Sequence, residues 1–292
     1  MKKITGAFAL LVSIALITIP AGAAELRVRI GSDVGNLDPA RIFGIENQTV
    51  ASHIYSGMVK YDQATNKILP DLPTSWSTSA DGTVYTFKLR DGVMFHKGYG
   101  KLTADDVKFS LDRVLDPASK SRYAGQLTGV KAVEAPDPLT VRVILEGPNA
   151  GLLNKLTDFN QGWITSRKAV TEIGDKKYAM QPIGTGPFIF DKWLAGNQVR
   201  VVANKDYFGG APSLDAVTFR IIKDETAAAI ALENGEIDVF FALQSPPVID
   251  RLKKAGNVTV LNRVANHTIN LVLNQTVKPL DCHALLAATI AS

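Results

Sequence analysis

The residues able to ligate a metal or act as a nucleophile are few and scattered. The four histidines, His53, His96, His267 and His283, never fall in an H-E-x-x-H spacing. Zinc needs three or four convergent ligands, and no local cluster offers them. The single cysteine, Cys282, excludes an internal disulfide and a Cys-rich metal site. No G-x-S-x-G turn presents a serine. Gly184-Thr185-Gly186-Pro187-Phe188 carries two glycines without the G-x-G-x-x-G spacing, and its proline argues for a rigid turn rather than a phosphate cradle. Asp105 and Asp106 adjoin at a helix start, where capping and the positive helix end explain them. His96, after Phe95, reads as a surface or hydrogen-bonded residue. The expectation is no catalytic residue, no metal and no cofactor.

The elements around these residues read as α/β. Leu26 to Ile30 alternates apolar and charged residues, the period of a strand with one buried face, and runs into a turn-rich loop from Gly31 to Pro39. Gln48 to Met58 reads as a helix, with Val50, Ile54 and Met58 on one face and Asn47 as N-cap. Asp81-Gly82 and Asp91-Gly92 bracket a strand from Thr83 to Arg90, with Tyr85, Phe87 and Leu89 on one face. Thr103 opens a helix with an apolar stripe of Val107, Leu111, Val114 and Leu115, and Asp116-Pro117 ends it. Leu139 to Leu145 is another alternating strand. Val199–Ala203, Ala216–Ile222, Ile237–Leu243 and Val258–Val264 read as strands. Helices are expected at Glu225–Asn234, closed by Gly235, and at Pro247–Ala255. That order calls for a parallel sheet. The span from about 53 to 180 looks like a more antiparallel insert.

The amino terminus sets the compartment. Lys2 and Lys3 precede an apolar run from Ala7 to Ile19, then Pro20 and the small residues Ala21 to Ala24. This is the layout of a cleaved secretory signal, and the run falls short of the roughly 20 residues that span a bilayer. A mature start near Ala24 or Glu25 and a periplasmic protein are expected. The formal charge of +4 includes the two signal lysines, and no long basic run interleaves with aromatics, so nucleic acid is not an expected partner.

Several segments in order resemble the family 5 extracellular solute-binding proteins of ABC importers, the dipeptide-, oligopeptide- and nickel-binding type. They are Leu37-Asp38-Pro39, Ser56 to Asp62, Ile68 to Leu72, Ser75-Trp76-Ser77, Asp81 to Val93 with Phe95-His96, and Leu102 to Val107. Gly184 to Phe188, Asn204 to Gly210 and Ala231 to Asp238 follow. Ser56 stands where the family usually has an acidic residue, and Lys97 where it usually has aspartate. Lys278-Pro279-Leu280-Asp281 resembles the lead into a second lobe, but Cys282 to Ser292 lacks the basic helix that usually follows. The expectation there is a truncation or frameshift.

The resemblance implies a periplasmic-binding-protein-like lobe with a mixed, largely parallel sheet, an inserted β-rich α+β domain, and a second lobe mostly missing. It divides the chain into a signal at 1–24, lobe I at 25–52 and 181–270, the insert at 53–180, and the start of lobe II at 271–292. Such proteins close two lobes on a ligand by a population shift and deliver it to permease subunits at the inner membrane. The implied partners are a peptide or similar small solute and the permease, with the chain a monomer. Candidate contacts are Ser32, Asp33 and Val34, in the loop at the carboxyl end of the first strand, where open α/β sheets place ligands. That backbone could pair with an extended peptide. Asp33 either attracts a ligand amine or is an ordinary turn aspartate. Tyr123 matches a tyrosine that the family sets against ligand, or else is a packing residue. Half a clamp is expected to bind weakly. The alternatives are a single-lobe periplasmic scaffold or chaperone-like interaction protein, which would use an exposed apolar face, and, less supported, a periplasmic hydrolase.

Overall fold

Strand alternation and one strongly amphipathic helix account for most of the architecture. A computed structural model describes residues 24–261, apart from Gln63, Lys120 and Ala242. The signal reading, the end of the last expected strand, His267, Cys282, His283 and the expected start of lobe II lie outside the described residues. The first half contains β1 (Glu25–Ile30), α1 (Ile45–Ala51), β2 (Val59–Asp62), β3 (Lys67–Pro70), β4 (Pro73–Thr78), β5 (Val84–Leu89), α2 (Ala104–Leu115), β6 (Val130–Asp137) and β7 (Thr140–Leu145). Then come the short helices α3 (Leu152–Leu156), α4 (Phe159–Gly162), α5 (Arg167–Ile173) and α6 (Asp175–Tyr178). The chain continues with β8 (Phe188–Leu194), β9 (Gln198–Ala203), β10 (Ala216–Ile221), α7 (Glu225–Glu233), β11 (Val239–Phe240) and α8 (Pro246–Lys254).

A five-stranded sheet runs in the order β11-β1-β10-β9-β8. β1 is parallel to both its neighbours, whereas β10–β9 and β9–β8 are antiparallel. The sheet is mixed, as expected, with its parallel part confined to β11, β1 and β10. The β8–β9 turn is a tight hairpin with Gly196 at φ 72°, and such a connection joins antiparallel strands. A second, four-stranded sheet, β4-β5-β7-β6, is antiparallel throughout. There the period-two reading holds: Tyr85, Phe87 and Leu89 of β5 and Val141, Val143 and Leu145 of β7 are buried.

Four expectations need correcting. The first helix covers Ile45–Ala51, not Gln48 to Met58, and Gly44 rather than Asn47 precedes it. Asn47 instead accepts a hydrogen bond from Gly35 N. Beyond Ser52 the main chain bonds outward, with the His53 carbonyl accepting from Phe188 N and the Ile54 carbonyl from Gly186 N. Ile54 and Met58 are buried all the same. The strand expected over Ile237–Leu243 is only Val239–Phe240, and residues 258–261 form no strand. Finally, β1 is not buried on one face only: Val28, Arg29 and Ile30 are all buried, Arg29 against the ring of Phe240 and the carbonyls of Ile222 and Lys223.

The described residues up to Val258 belong to one compact unit. One hydrophobic core includes Phe219 of the first sheet and Phe87 of the second, together with Leu37, Ile54, Met58, Leu72 and Tyr178. Gly184 and Gly186 sit against the main chain of Ile54, where any side chain would collide. The glycines therefore serve close packing in a turn.

Candidate functional site

Ser32, Asp33 and Val34 leave β1 at its carboxyl end. Ser32 is exposed, Asp33 half-buried and Val34 buried. The Trp193 indole N–H donates to Asp33 Oδ1 at 2.9 Å, and Gly196 N donates to Oδ2 at 2.6 Å. These two bonds fasten the loop to the β8–β9 hairpin. A loop-locking role for Asp33 is therefore present whatever else it does.

The next residues fold back onto the core. Leu37 N donates to the Ala179 carbonyl at 2.9 Å. Asp38 is fully buried and takes two bonds from the Arg113 guanidinium of α2, at 3.0 and 2.6 Å. Arg113 also reaches Asp175 at 3.4 Å, and Asp175 pairs with Arg41 at 2.6 Å. Burial alone would weaken the Arg113 cation. The hydrogen bond and charge of Asp38, aided by Asp175, outweigh that and raise its pKa. A chain of alternating charges thus runs from the core to the surface at Arg41.

Tyr123 meets the far end of this loop. Its hydroxyl donates to the Ile42 carbonyl at 2.9 Å, and its ring stands edge-on to Phe159 with centroids 6.2 Å apart. Asn160 Nδ2 donates to the Pro39 and Ile42 carbonyls at 3.2 and 3.3 Å, holding the same segment from beneath. The hydroxyl proton of Tyr123 is therefore engaged with the main chain, and its half-buried ring packs against the core. A pocket of about 360 Å³ is lined by Arg41, Ala118, Ser119, Arg122 and Tyr123. Arg122 lies over the ring of Phe43 at 4.9 Å. Phe43 is 63% exposed, and Arg122 has no ion-pair partner among the described residues.

The fold therefore brings Tyr123 to Ile42 and Phe43, while Asp33 is engaged at the β8–β9 hairpin. Arg41, Phe43 and Arg122 were not singled out from the sequence. Arg122 adjoins Tyr123, so its type and position were the available signal. Arg41 and Phe43 carried none, because only the fold brings them near residue 122. What the arrangement offers chemically is an aromatic face and two guanidiniums, suited to holding a polar or anionic solute rather than to breaking bonds. Among the described residues no group of three His, Cys, Asp or Glu side chains could hold a metal. No helix among them is long and apolar enough to cross a membrane.

Residues 67–285 match the profile of the bacterial extracellular solute-binding proteins, family 5, middle region. The glutathione-binding protein GsiB of Pectobacterium atrosepticum is 31% identical over 277 residues, covering 92% of this chain and 52% of that protein. Di/tripeptide-binding protein 2 of Pseudomonas aeruginosa is 33% identical, covering 84% and 49%. Among solved structures, MoaA of A. tumefaciens R10 in complex with mannopinic acid superposes with a TM-score of 0.80 at 35% identity, over 89% of this chain and 53% of the other. The periplasmic binding protein DppA of Helicobacter pylori, in complex with the peptide STSA, gives a TM-score of 0.74 at 32% identity, over 80% and 50%. This chain spans about half the length of the curated relatives it matches. The chain belongs to the bacterial extracellular solute-binding proteins of family 5.

Proposed function

We propose that this chain supplies one wall of the solute-binding cleft of a periplasmic ABC-importer component, with peptides or similar small solutes as ligands and membrane permease subunits as partners. In this reading 25–52 and 181–270 form one lobe, 53–180 is inserted in it, and the amino-terminal segment directs export. The observation that carries it is the pocket of Tyr123, Arg122, Ser119 and Arg41 beside the loop that leaves β1. Its aromatic ring and Arg122, which has no ion-pair partner among the described residues, suit a solute that has a flat polar backbone and a carboxylate. The relatives named for glutathione and di/tripeptides support the same chemistry. Binding is a holding task, and no reaction step is assigned to any residue.

One wall buries only part of a ligand, so the affinity of this chain alone is weak, on the order of 1 mM. Calorimetry of the full chain with a panel of di- and tripeptides, including glutathione, tests this. Saturable binding that weakens about tenfold in Tyr123→Ala or Arg122→Ala supports the reading. Affinity unchanged in both variants overturns it. A scaffold role finds one favouring observation in the exposed Phe43 and Ile45. Co-purification of one stoichiometric protein partner in place of solute binding would establish that role instead.

A further inference from the structure

Asn234 and Gly235 form the one Asn-Gly pair in the sequence. Both are exposed, at the point where α7 ends and the chain turns towards β11. The Asn234 side chain makes no hydrogen bond among the described residues, and a Cβ built on Gly235 would meet nothing within 4 Å. An asparagine followed by glycine is open to an intramolecular reaction. The Gly235 main-chain nitrogen, having lost its proton to hydroxide, attacks the Asn234 side-chain carbonyl carbon. A C–N bond forms, ammonia leaves with a proton taken from solvent, and a five-membered cyclic imide remains. Water then opens that ring at either carbonyl, giving aspartate or isoaspartate. Glycine favours the attack because it has no Cβ to crowd the nitrogen.

The fold holds that reaction back. Asn234 caps α7 at φ −80° and ψ −4°, with its own N–H on the Ile230 carbonyl at 2.9 Å. The Gly235 N–H, the group that must attack, donates to the Leu232 carbonyl at 3.1 Å. Gly235 takes a left-handed φ of 70°, as the residue after a helix commonly does. Glu236 N then donates to the Ala231 carbonyl at 2.8 Å and completes the cap. Asn257 fastens the same turn, its Nδ2 donating to the Glu233 carbonyl at 3.1 Å. In this bonded geometry the Gly235 nitrogen keeps its proton and is not free to rotate onto the side chain. The ring closes only when the last turn of the helix opens, and helix ends fray.

We propose that Asn234 is a site of spontaneous covalent modification, converted to aspartate or isoaspartate at a rate set by opening of the last turn of α7. The product works against the fold. It places a new carboxylate at the negative end of the helix, with Glu233 before it and Glu236 close after it, where dipole and like charges oppose it. Isoaspartate also adds a carbon to the main chain. Asp238, just before β11, pairs with Arg27 of β1 at 2.7 Å, so the lengthened turn must shift to keep that contact. The proposal stands on its own observations, not on the transport reading.

The test ages the full chain at mildly alkaline pH and follows each asparagine by peptide mass mapping and by isoaspartate-specific methyl transfer. Asn66 and Asn197 are the comparators. Both are exposed and their side chains make no hydrogen bond among the described residues, but lysine and glutamine follow them. In the folded chain Asn234 should convert well ahead of both. In urea it should convert about tenfold faster still, the scale of one or two cap hydrogen bonds. Asn257→Ala, which frees the Glu233 carbonyl without touching the reacting pair, should speed the folded reaction about fivefold, the net worth of one hydrogen bond. It should leave the rate in urea unchanged. Conversion of Asn66 or Asn197 as fast as Asn234 would overturn the proposal, as would no conversion of Asn234 in the folded chain while the chain in urea converts. So would equal rates with and without urea, or a folded Asn257→Ala rate equal to that of the parent.

Discussion

Arg113 grips Asp38 through two parallel hydrogen bonds, at 3.0 and 2.6 Å, and thereby ties the loop beyond β1 to helix α2. Asp38 is fully buried and also accepts from Ala40 N at 3.2 Å, so its charge is committed inside the fold. Removing one partner of such a pair strands a buried charge and costs about 3–5 kcal/mol. Arg113→Met should therefore lower stability by that amount. Asp38→Asn/Arg113→Met should cost clearly less, because neither charge remains. Urea denaturation of both variants decides the matter, and equal losses would mean that the pair is not coupled.

Gly186 illustrates a different constraint. Its N–H donates to the Ile54 carbonyl at 2.8 Å, and a Cβ on it would come within 2.6 Å of the Ile54 carbonyl carbon. Those are main-chain atoms that cannot swing aside. Gly186→Ala should destabilise by about 3 kcal/mol, the upper range of overpacking. Gly125→Ala, at a position with open space around it, should leave the urea midpoint unchanged or slightly raised. Equal midpoints for the two variants would refute the close-packing account.

His96 makes folding sensitive to acid. It is buried with Nε2 at 3.0 Å from the Gly186 carbonyl, a contact in which the ring N–H donates. Burial lowers its pKa to about 4, with Lys97 adding to the shift and the Gly186 bond opposing it. The unfolded chain binds this proton near the ordinary value of 6.5, before the folded chain does. The contribution is therefore fully present above pH 6.5 and lost as pH falls towards 4. A shift of this size corresponds to about 3 kcal/mol over the window. His96→Gln should start less stable at pH 7 and show a shallower decline between pH 6.5 and 4 than the parent. Thermal unfolding across that range measures the difference, and parallel curves would contradict it.

How far the sequence led can be judged element by element. β5 and β7 were legible because each alternates cleanly over one buried face. Helix α2 was legible from Thr103 and the stripe Val107, Leu111 and Val114, and Asp106 indeed accepts from Thr103 N and Oγ. Helix α7 was legible from its alanines and from Gly235, which lies at φ 70°. The end of α1 was not, since Val50, Ile54 and Met58 keep a helical spacing while tertiary bonds to Phe188 and Gly186 draw the chain out. Arg29 was read as the polar face of a one-sided strand, and only the fold brings the ring of Phe240 and the carbonyls of Ile222 and Lys223 around it. The same limit applied to the candidate site. Tyr123 was found by resemblance and the loop after β1 from its place at the carboxyl end of a strand, whereas Arg41 and Phe43 depend on how that loop closes over α4.

The most direct test of the account is where a solute touches the full chain. Amide shifts should be mapped while di- and tripeptides are titrated in, with Ser119, Arg122, Tyr123 and Phe43 as reporters. The account predicts saturable shifts concentrated at these residues, with weak affinity that falls about tenfold further in Tyr123→Ala. Saturable shifts confined to other surfaces, or none with any peptide of the panel, would contradict it.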